Sequence, residues 1–262
     1  MTTTIIGVDQ PFEMGEASSI GTISYLSAIK SLVERPNIRA VWTSDTGFGD
    51  VDGVQTWVDR KGNKRLVPDG TSFPTKTDNI FGTKPGLLTS PITRRMTDLS
   101  SNAFMPIGSS WSVAIVAHPY GDLTANWYML GNAAASGDEF GLIFQTNGTI
   151  QLRQDNTVVA TSGTSYAAGT PIYAVTSWDQ AATRFQTRVS GTQVINAVTA
   201  LTNASNQMVV GGTRALPGTG PGGGSKFFGA VIVASVPVCN ATYAADLTAI
   251  EDAITADFGA IF

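Results

Sequence analysis

Three aspartates in one Gly-rich stretch form the best candidate cation site in the sequence. Asp45, Asp50 and Asp52 lie within the nine residues 45–53, where glycines permit tight turns. Calcium accepts a flexible shell of oxygen ligands, and clustered carboxylates supply such ligands. The stretch lacks a closing glutamate, and Asp/Gly turns also occur without metal. The sequence therefore permits calcium at this position but requires no cofactor.

A set of aromatic and amide side chains could bind sugars. Aromatic rings stack on the apolar faces of pyranose rings, and neighbouring amides form hydrogen bonds with sugar hydroxyls. The candidates are Phe48, Trp57, Asn126, Trp127 and Tyr128. The alternative role for Trp127 is packing in a core, because it begins a strand-like run.

Residues for catalysis are scarce. A glycosidase needs two carboxyl groups placed across the scissile bond, yet the chain has only five glutamates and no predicted strand with acids at alternate positions. His118 is the only histidine and Cys239 the only cysteine. No Gly-x-Ser-x-Gly motif provides a nucleophile for His118. These observations predict that the chain is not an enzyme.

The elements that must position these residues are mostly strands. From Trp111 onward, short β-branched or aromatic runs alternate with turn residues, which is typical of an antiparallel sandwich. Residues 38–106 are richer in loops. Two-residue hairpin turns are predicted at Asn147-Gly148, Ser190-Gly191 and Asp155-Asn156. The predicted runs are 39–43, 54–58, 111–117, 127–131, 140–145, 149–154, 157–161, 172–178, 183–189, 193–198, 207–211 and 227–236.

The two ends of the chain differ from this pattern. Residues 1–37 form a polar arm followed by apolar residues at helical spacing, which Pro36 ends. This segment either anchors the protein to a partner or lies on its own domain. A second helix is predicted at about 243–258, because Leu247, Ile250, Ile254 and Phe258 share one face.

Composition excludes several classes of function. Charged residues make up 14% of the chain and the net charge is −4, so a basic surface for nucleic acid is not expected. No apolar run reaches the ~18 residues of a membrane helix, which predicts no membrane insertion. The N-terminus has neither the basic start nor the apolar run of a signal peptide, which predicts synthesis in a cytoplasm without export.

The order of several motifs resembles LamG-type, concanavalin A-like jelly-roll domains. The first is Trp57-Val58-Asp59-Arg60-Lys61-Gly62-Asn63, which is similar to a W-x-D-x-x-G-N opening. The others are a central hairpin at 141–153, a Trp-Asp strand end at 174–179, Gly211-Gly212, a core strand at 228–233 and a closing helix at 246–258. The resemblance implies an all-β, two-sheet antiparallel jelly-roll sandwich over residues 38–262, with an N-terminal arm and a C-terminal helix.

The resemblance also implies a function, because domains of this type occur on the surface of bacteriophage particles. We therefore expect a non-enzymatic virion surface protein, either a capsid decoration or head fibre or a tail component, anchored through residues 1–37. Its expected partners are capsid or tail subunits and copies of itself. The alternatives are a tail fibre that binds host-surface glycan and a bacterial carbohydrate-binding or adhesion module. Val189-Ser190 stands where the family commonly has an aromatic residue followed by Asn or Asp, and Ser235 replaces its usual acidic residue after the last strand. These departures from the family pattern favour the structural role.

Overall fold

Strands dominate the part of the chain that can be described. The computed structural model describes residues 28–51, 54–62, 64–69, 72–89, 94–99, 103–120, 125–132, 140–155, 157–202, 207–212, 226–259 and 262. Seventeen strands lie in these ranges. They are β1 (Ile38–Thr43), β2 (Phe48–Val51), β3 (Val54–Val58), β4 (Arg65–Pro68), β5 (Thr75–Phe81), β6 (Lys84–Thr89), β7 (Met96–Asp98), β8 (Trp111–Pro119), β9 (Trp127–Asn132), β10 (Phe140–Phe144), β11 (Thr149–Gln154), β12 (Thr157–Ser165), β13 (Ile172–Asp179), β14 (Arg184–Val189), β15 (Thr192–Val198), β16 (Met208–Val210) and β17 (Lys226–Ala234).

The strands form two antiparallel sheets, which confirms the predicted jelly-roll sandwich. The first sheet has the order β15-β14-β13-β8-β17-β6-β5, and β1 also pairs with β17. The second sheet has the order β12-β11-β10-β9-β16-β7-β4-β3-β2. One edge of β17 pairs with β6 through Lys226–Phe228 and then with β1 from Ala230 to Ala234.

The main core lies between the two sheets. All five tryptophans of the chain are fully or almost fully buried, and each belongs to this core. Trp42 donates a hydrogen bond from its indole nitrogen to the carbonyl oxygen of Trp57 (2.9 Å), which satisfies its polar group. Trp111, Phe140 and Phe185 pack around one another at centroid distances of 5.3–6.1 Å. The core is therefore built on aromatic rings, which bury the most area per residue.

A second core covers the outer face of the first sheet. The helix α1 (Ala244–Phe258) and a 3₁₀ helix (Ala28–Glu34) pack there side by side. Ile29 and Leu32 belong to the same buried apolar cluster as Ile250 and Ile254. Because both faces of the first sheet are covered, β8, β13 and β17 are buried along their whole length. This arrangement explains their nearly continuous apolar sequences.

Polar contacts hold the N-terminal helix to α1. The backbone nitrogen of Ala28 donates to Asp257 Oδ1 (2.8 Å), and Arg35 forms an ion pair with Asp246 (2.8 Å). Residues 28–37 thus share a core with the sandwich, across the boundary predicted at residue 37. The earlier part of the predicted arm, residues 1–27, lies outside the described residues.

Of the two hairpin turns predicted at Ser190-Gly191 and Asn147-Gly148, the structure has the first as predicted and the second as a longer turn. Ser190 and Gly191 both have positive φ, +45° and +81°, and join β14 to β15 as a two-residue turn. At Asn147-Gly148 only the glycine has positive φ, +82°, and four residues separate β10 from β11. The second hairpin is therefore a longer turn, in which Gly148 alone adopts the left-handed conformation.

The closing helix predicted at about 243–258 is α1. Ile250, Ile254 and Phe258 are buried as the helical spacing predicted. A short 3₁₀ turn (Ala241–Tyr243) precedes α1, and within the described ranges no helical segment combines the length and the apolar character needed to cross a lipid bilayer.

Candidate functional site

The two sheets end side by side, and a cleft lies between their terminal strands. Strand β2 is last in the second sheet and β5 is last in the first. The cleft has a volume of about 360 Å³, and we call it the edge cleft. It is lined by Phe48, Gly49, Gln55, Phe73, Pro74 and Lys76.

Stacked aromatic rings form one wall of the edge cleft. The Phe48 ring stacks on Trp57 with centroids 5.5 Å apart and planes 17° apart. Phe73 meets Phe48 edge to face at 6.2 Å. Phe48 and Phe73 are half-buried, whereas Trp57 is fully buried beneath them. The exposed surface of the wall therefore belongs to the two phenylalanines.

Hydrogen bonds fix the ring at the base of this wall. The indole nitrogen of Trp57 donates to the carbonyl oxygens of Thr43 and Thr46, both at 3.1 Å. Gly47, immediately before Phe48, has φ +84°, and a Cβ there would lie 2.2 Å from the carbonyl oxygen of Val58. Only glycine fits this position, so the turn that places Phe48 depends on it.

Two long polar side chains stand at the rim of the edge cleft. Gln55 on β3 and Lys76 on β5 are both exposed. An amide both donates and accepts hydrogen bonds, whereas an ammonium group only donates. The cleft therefore combines an apolar ring surface with hydrogen-bonding groups at its border, which is the chemistry that sugar rings require.

The predicted cation site has a different environment. Arg60 forms an ion pair with Asp45 at 2.9 Å, and the Arg60 side chain is almost fully buried. Burial acts to raise the pKa of Asp45, but a hydrogen bond from Thr43 and the charges of Arg60 and Lys84 outweigh it and lower the pKa. Among the described residues, no three His, Cys, Asp or Glu side chains lie close enough together to hold a metal ion. The side chains of Asp50 and Asp52 lie outside the described set, so calcium stays a prediction.

The predicted sugar-binding residues fall into two separate groups. Phe48 and Trp57 lie on β2 and β3, whereas Trp127 and Tyr128 lie on β9, with Asn126 just before it. Four strand steps separate β9 from β3 in the second sheet, or about 19 Å. The five residues therefore do not form one site.

Burial corrects the roles predicted for three of these rings. Trp57 and Trp127 have no exposed surface, and Tyr128 is only 7% exposed. The Trp127 ring packs on Phe228 in the core at 5.0 Å. A ring stacks on a sugar only through an exposed face, so these three residues support the core and do not contact a ligand. Asn126 is exposed and accepts a hydrogen bond from the backbone of Thr146 (3.2 Å).

Among the lining residues of the edge cleft, sequence reasoning predicted only Phe48 as a sugar-binding residue. Phe73 stands in a polar stretch, Gln55 is a polar residue on the mostly apolar strand β3, and Lys76 lies on the mostly polar strand β5. The only signal was the Phe73-Pro74 pair, since an aromatic residue before proline adopts an extended conformation.

The histidine and the cysteine considered for catalysis, His118 and Cys239, both lie in packed surroundings. The His118 ring packs against Phe81 and Tyr120, and its Nε2 lies 3.0 Å from the carbonyl oxygen of Gly169. Burial raises the pKa of the Cys239 thiol to about 11, so the thiolate is scarce at neutral pH.

Comparison with known proteins supports the fold. The sequence matches no family model and no curated protein. Among solved structures, Trypanosoma rangeli sialidase in complex with sialic acid aligns with a TM-score of 0.60 and 12% identity, covering 84% of this chain and 34% of the sialidase. Domain 4 of the extracellular GH43 arabinanase AbnA from Geobacillus stearothermophilus, in complex with arabinotriose, aligns with a TM-score of 0.60 and 12% identity, covering 80% of this chain and 98% of that domain.

A third similar structure comes from botulinum neurotoxin type C, whose cell entry depends on interaction with two ganglioside molecules. It aligns with a TM-score of 0.56 and 10% identity, covering 86% of this chain and 52% of the toxin chain. At such identities the likeness establishes the sandwich fold. The chain spans about a third of the length of the sialidase chains it matches.

These neighbours correct the expectation that the chain is not an enzyme. Several of the similar structures are chains of a sialidase, an enzyme that acts on glycans. None of the neighbours reported above is a bacteriophage protein.

Proposed function

We propose that the chain is a carbohydrate-binding sandwich domain that binds glycan in the edge cleft. The observation that carries this proposal is the wall of Phe48 and Phe73 bordered by the exposed side chains of Gln55 and Lys76. The neighbours add support, because their bound or required molecules are sialic acid, arabinotriose and gangliosides, all of which contain sugars.

The proposal predicts a defined effect for two substitutions. Phe73→Ala removes one of the two partly exposed rings, and Gln55→Ala removes the amide at the rim. Each should weaken glycan binding about tenfold, which corresponds to about 1.4 kcal/mol. The measurement is a glycan array with the wild-type chain, followed by calorimetric titration of each variant with the best oligosaccharide.

Gln193→Ala serves as the matched control, because Gln193 is an exposed glutamine on the terminal strand β15 of the first sheet. This variant should bind like the wild type. Equal binding by all three variants would place the glycan outside the edge cleft. A wild-type chain that binds no glycan on the array would contradict the proposed function itself.

We further propose that this domain is displayed on the surface of a bacteriophage particle, with other virion proteins and copies of itself as partners. The support is its weakly charged composition and the motif order described above. The anchor within residues 1–37 would use the part before Ala28, since Ala28–Glu34 packs on the sandwich.

Mass spectrometry of purified particles tests this location. Hundreds of copies per particle would support a capsid decoration, and a few to a few tens would support a tail component or fibre. Absence from the particles would contradict display on a virion and favour a bacterial carbohydrate-binding or adhesion module.

The calcium site is a separate proposal for Asp45, Asp50 and Asp52. If calcium binds there, a chelator should lower the melting temperature of the calcium-loaded protein. An unchanged melting temperature in a sample that held calcium before chelation would remove the site.

A further inference from the structure

A second and larger cleft lies where three neighbouring strands of the first sheet end. Strand β8 begins at Trp111, β13 ends at Asp179, and β17 ends at Ala234, all at the same border. The cleft has a volume of about 610 Å³, and we call it the turn cleft. Its ten lining residues come from three segments: the residue before β8, the end of β13 with the turn after it, and the segment between β17 and α1.

Hydrogen bonds fix the charged and amide groups of the turn cleft. Asp179 Oδ1 accepts from the backbone nitrogens of Ala181 (3.1 Å) and Ala182 (3.2 Å). Asp179 Oδ2 accepts from Asn240 Nδ2 (2.7 Å), and Asn240 Oδ1 accepts from the backbone nitrogen of Thr242 (3.0 Å). The carboxylate and the amide are therefore oriented before any ligand arrives, which lowers the entropic cost of binding.

Buried hydroxyl groups hold the floor beneath these groups. Ser112 and Ser177 hydrogen bond to each other at 2.7 Å. Ser112 also donates to the carbonyl oxygen of Val236 (2.7 Å) and accepts from the backbone nitrogen of Val238 (2.9 Å). Ser177 accepts from the backbone nitrogen of Cys239 (3.1 Å). The chain that lines the cleft after β17 is thereby tied to the first sheet.

The charges that line the turn cleft indicate which kind of ligand it can bind. None of its ten lining residues is cationic, and its one carboxylate, Asp179, is only 5% exposed. An anionic group placed there would meet this charge without a counterion, which costs binding energy. Hydroxyl groups of Ser110, Ser235 and Thr242 and the half-buried ring of Tyr243 complete a surface for an uncharged polyol.

We propose that the turn cleft is a second glycan site, which binds an uncharged pyranose; this inference rests on the proposed function and adds a site to it. The two clefts lie toward opposite ends of β17. Lys76 of the edge cleft pairs with Leu87 on β6, and Leu87 pairs with Phe228 on β17. The turn cleft begins at Ser235, seven residues after Phe228, so the two clefts are roughly 25 Å apart along β17. One chain would then bind two sugars of a glycan-coated surface, one in the edge cleft and one in the turn cleft.

Filling the turn cleft tests the proposal without removing any of its hydrogen bonds. Ala182 is exposed in the turn between β13 and β14, and Ala182→Trp would occupy the cleft. Ala256→Trp is the matched control, because Ala256 is exposed on α1 and does not line the cleft. The probes are methyl α-glucoside, methyl α-galactoside and methyl α-mannoside, each at about 10 mM, observed by saturation-transfer-difference NMR.

At least one probe should receive saturation from the wild type. Its signal should fall about fivefold or more in Ala182→Trp and persist in Ala256→Trp and in the edge-cleft variant Phe73→Ala. No transfer to any probe, or full transfer to Ala182→Trp, would overturn the turn cleft as a sugar site. A signal that Phe73→Ala abolishes but Ala182→Trp retains would overturn the second site and leave the edge cleft supported.

Discussion

Replacing Asp98 by asparagine should change how the stability of the protein depends on pH. Asp98 has no exposed surface, and its carboxylate accepts hydrogen bonds from the backbone nitrogens of Met208 (2.8 Å) and Phe104 (3.4 Å). Burial raises its pKa to about 7, against the opposing effects of these hydrogen bonds and of the Arg39 charge. The folded protein therefore keeps a proton at mildly acidic pH that the unfolded chain releases.

The sign and size of the effect follow from this difference. The pKa of Asp98 is 3.8 in the unfolded reference and about 7 in the folded protein. Between these values the folded state binds more protons, so stability falls as pH rises. From pH 5 to pH 8 the loss due to this one group is about 3 kcal/mol, or roughly a hundredfold in the unfolding equilibrium.

Urea unfolding at pH 5 and pH 8 measures the effect in wild type and in Asp98→Asn. Asparagine cannot ionise, so the variant lacks the contribution of this group. The wild type should lose about 3 kcal/mol more than the variant over this interval. Equal losses, or a greater loss in the variant, would refute a raised pKa at Asp98.

Four further predictions concern the N-terminal segment, the edge cleft and the thiol. Leu32→Ala should lower the free energy of unfolding by about 3 kcal/mol, because it opens a cavity between α1 and the first sheet, and urea unfolding checks this loss. Removing residues 1–27 should leave a cooperative melting transition, since the contacts of the following segment remain; a chain that unfolds outright would contradict this. Gly47→Ala should cost about 2 kcal/mol in urea unfolding and weaken glycan binding, because its Cβ meets the Val58 oxygen. Cys239 should react slowly with a thiol reagent at pH 8 in the native protein and rapidly in urea, and fast native labelling would argue against its raised pKa.

Much of the fold could be predicted because the central strands have strong local signals. The runs that begin at Trp111, Thr149 and Ile172 are rich in β-branched and aromatic residues, and each became a strand. Strands β2 and β4–β7 were missed in the loop-rich region. β5 is polar because it lies at a sheet edge, and β6 contains Pro85, which discourages a strand assignment.

The site was harder to predict, since periodicity does not say which face of a strand is exposed. Trp57 and Trp127 have the residue type of a sugar-binding platform, but both point into the core between the sheets. Phe48, predicted as a sugar-binding residue, lines the edge cleft, but Phe73 on the same wall lies 25 positions later in the sequence and belongs to the other sheet's edge. Only the pairing of sheets brings these two rings together, and no short-range pattern encodes that pairing.

The burial and ion pairing of a charged residue on α1 also depend on the tertiary fold. Asp246 is a charged residue in the first turn of α1, yet it is buried. There it forms an ion pair with Arg35 and accepts a hydrogen bond from Asn37 Nδ2 (2.6 Å). The N-terminal helix beside α1 creates this environment, which the helix sequence alone does not contain.

A crystal structure of the chain with the best oligosaccharide from the glycan array tests the central claim most directly. The proposal predicts a sugar ring seated against Phe48 and Phe73, with hydroxyl groups in hydrogen-bond range of Gln55 or Lys76. An oligosaccharide bound elsewhere on the chain, with the edge cleft empty, would contradict it.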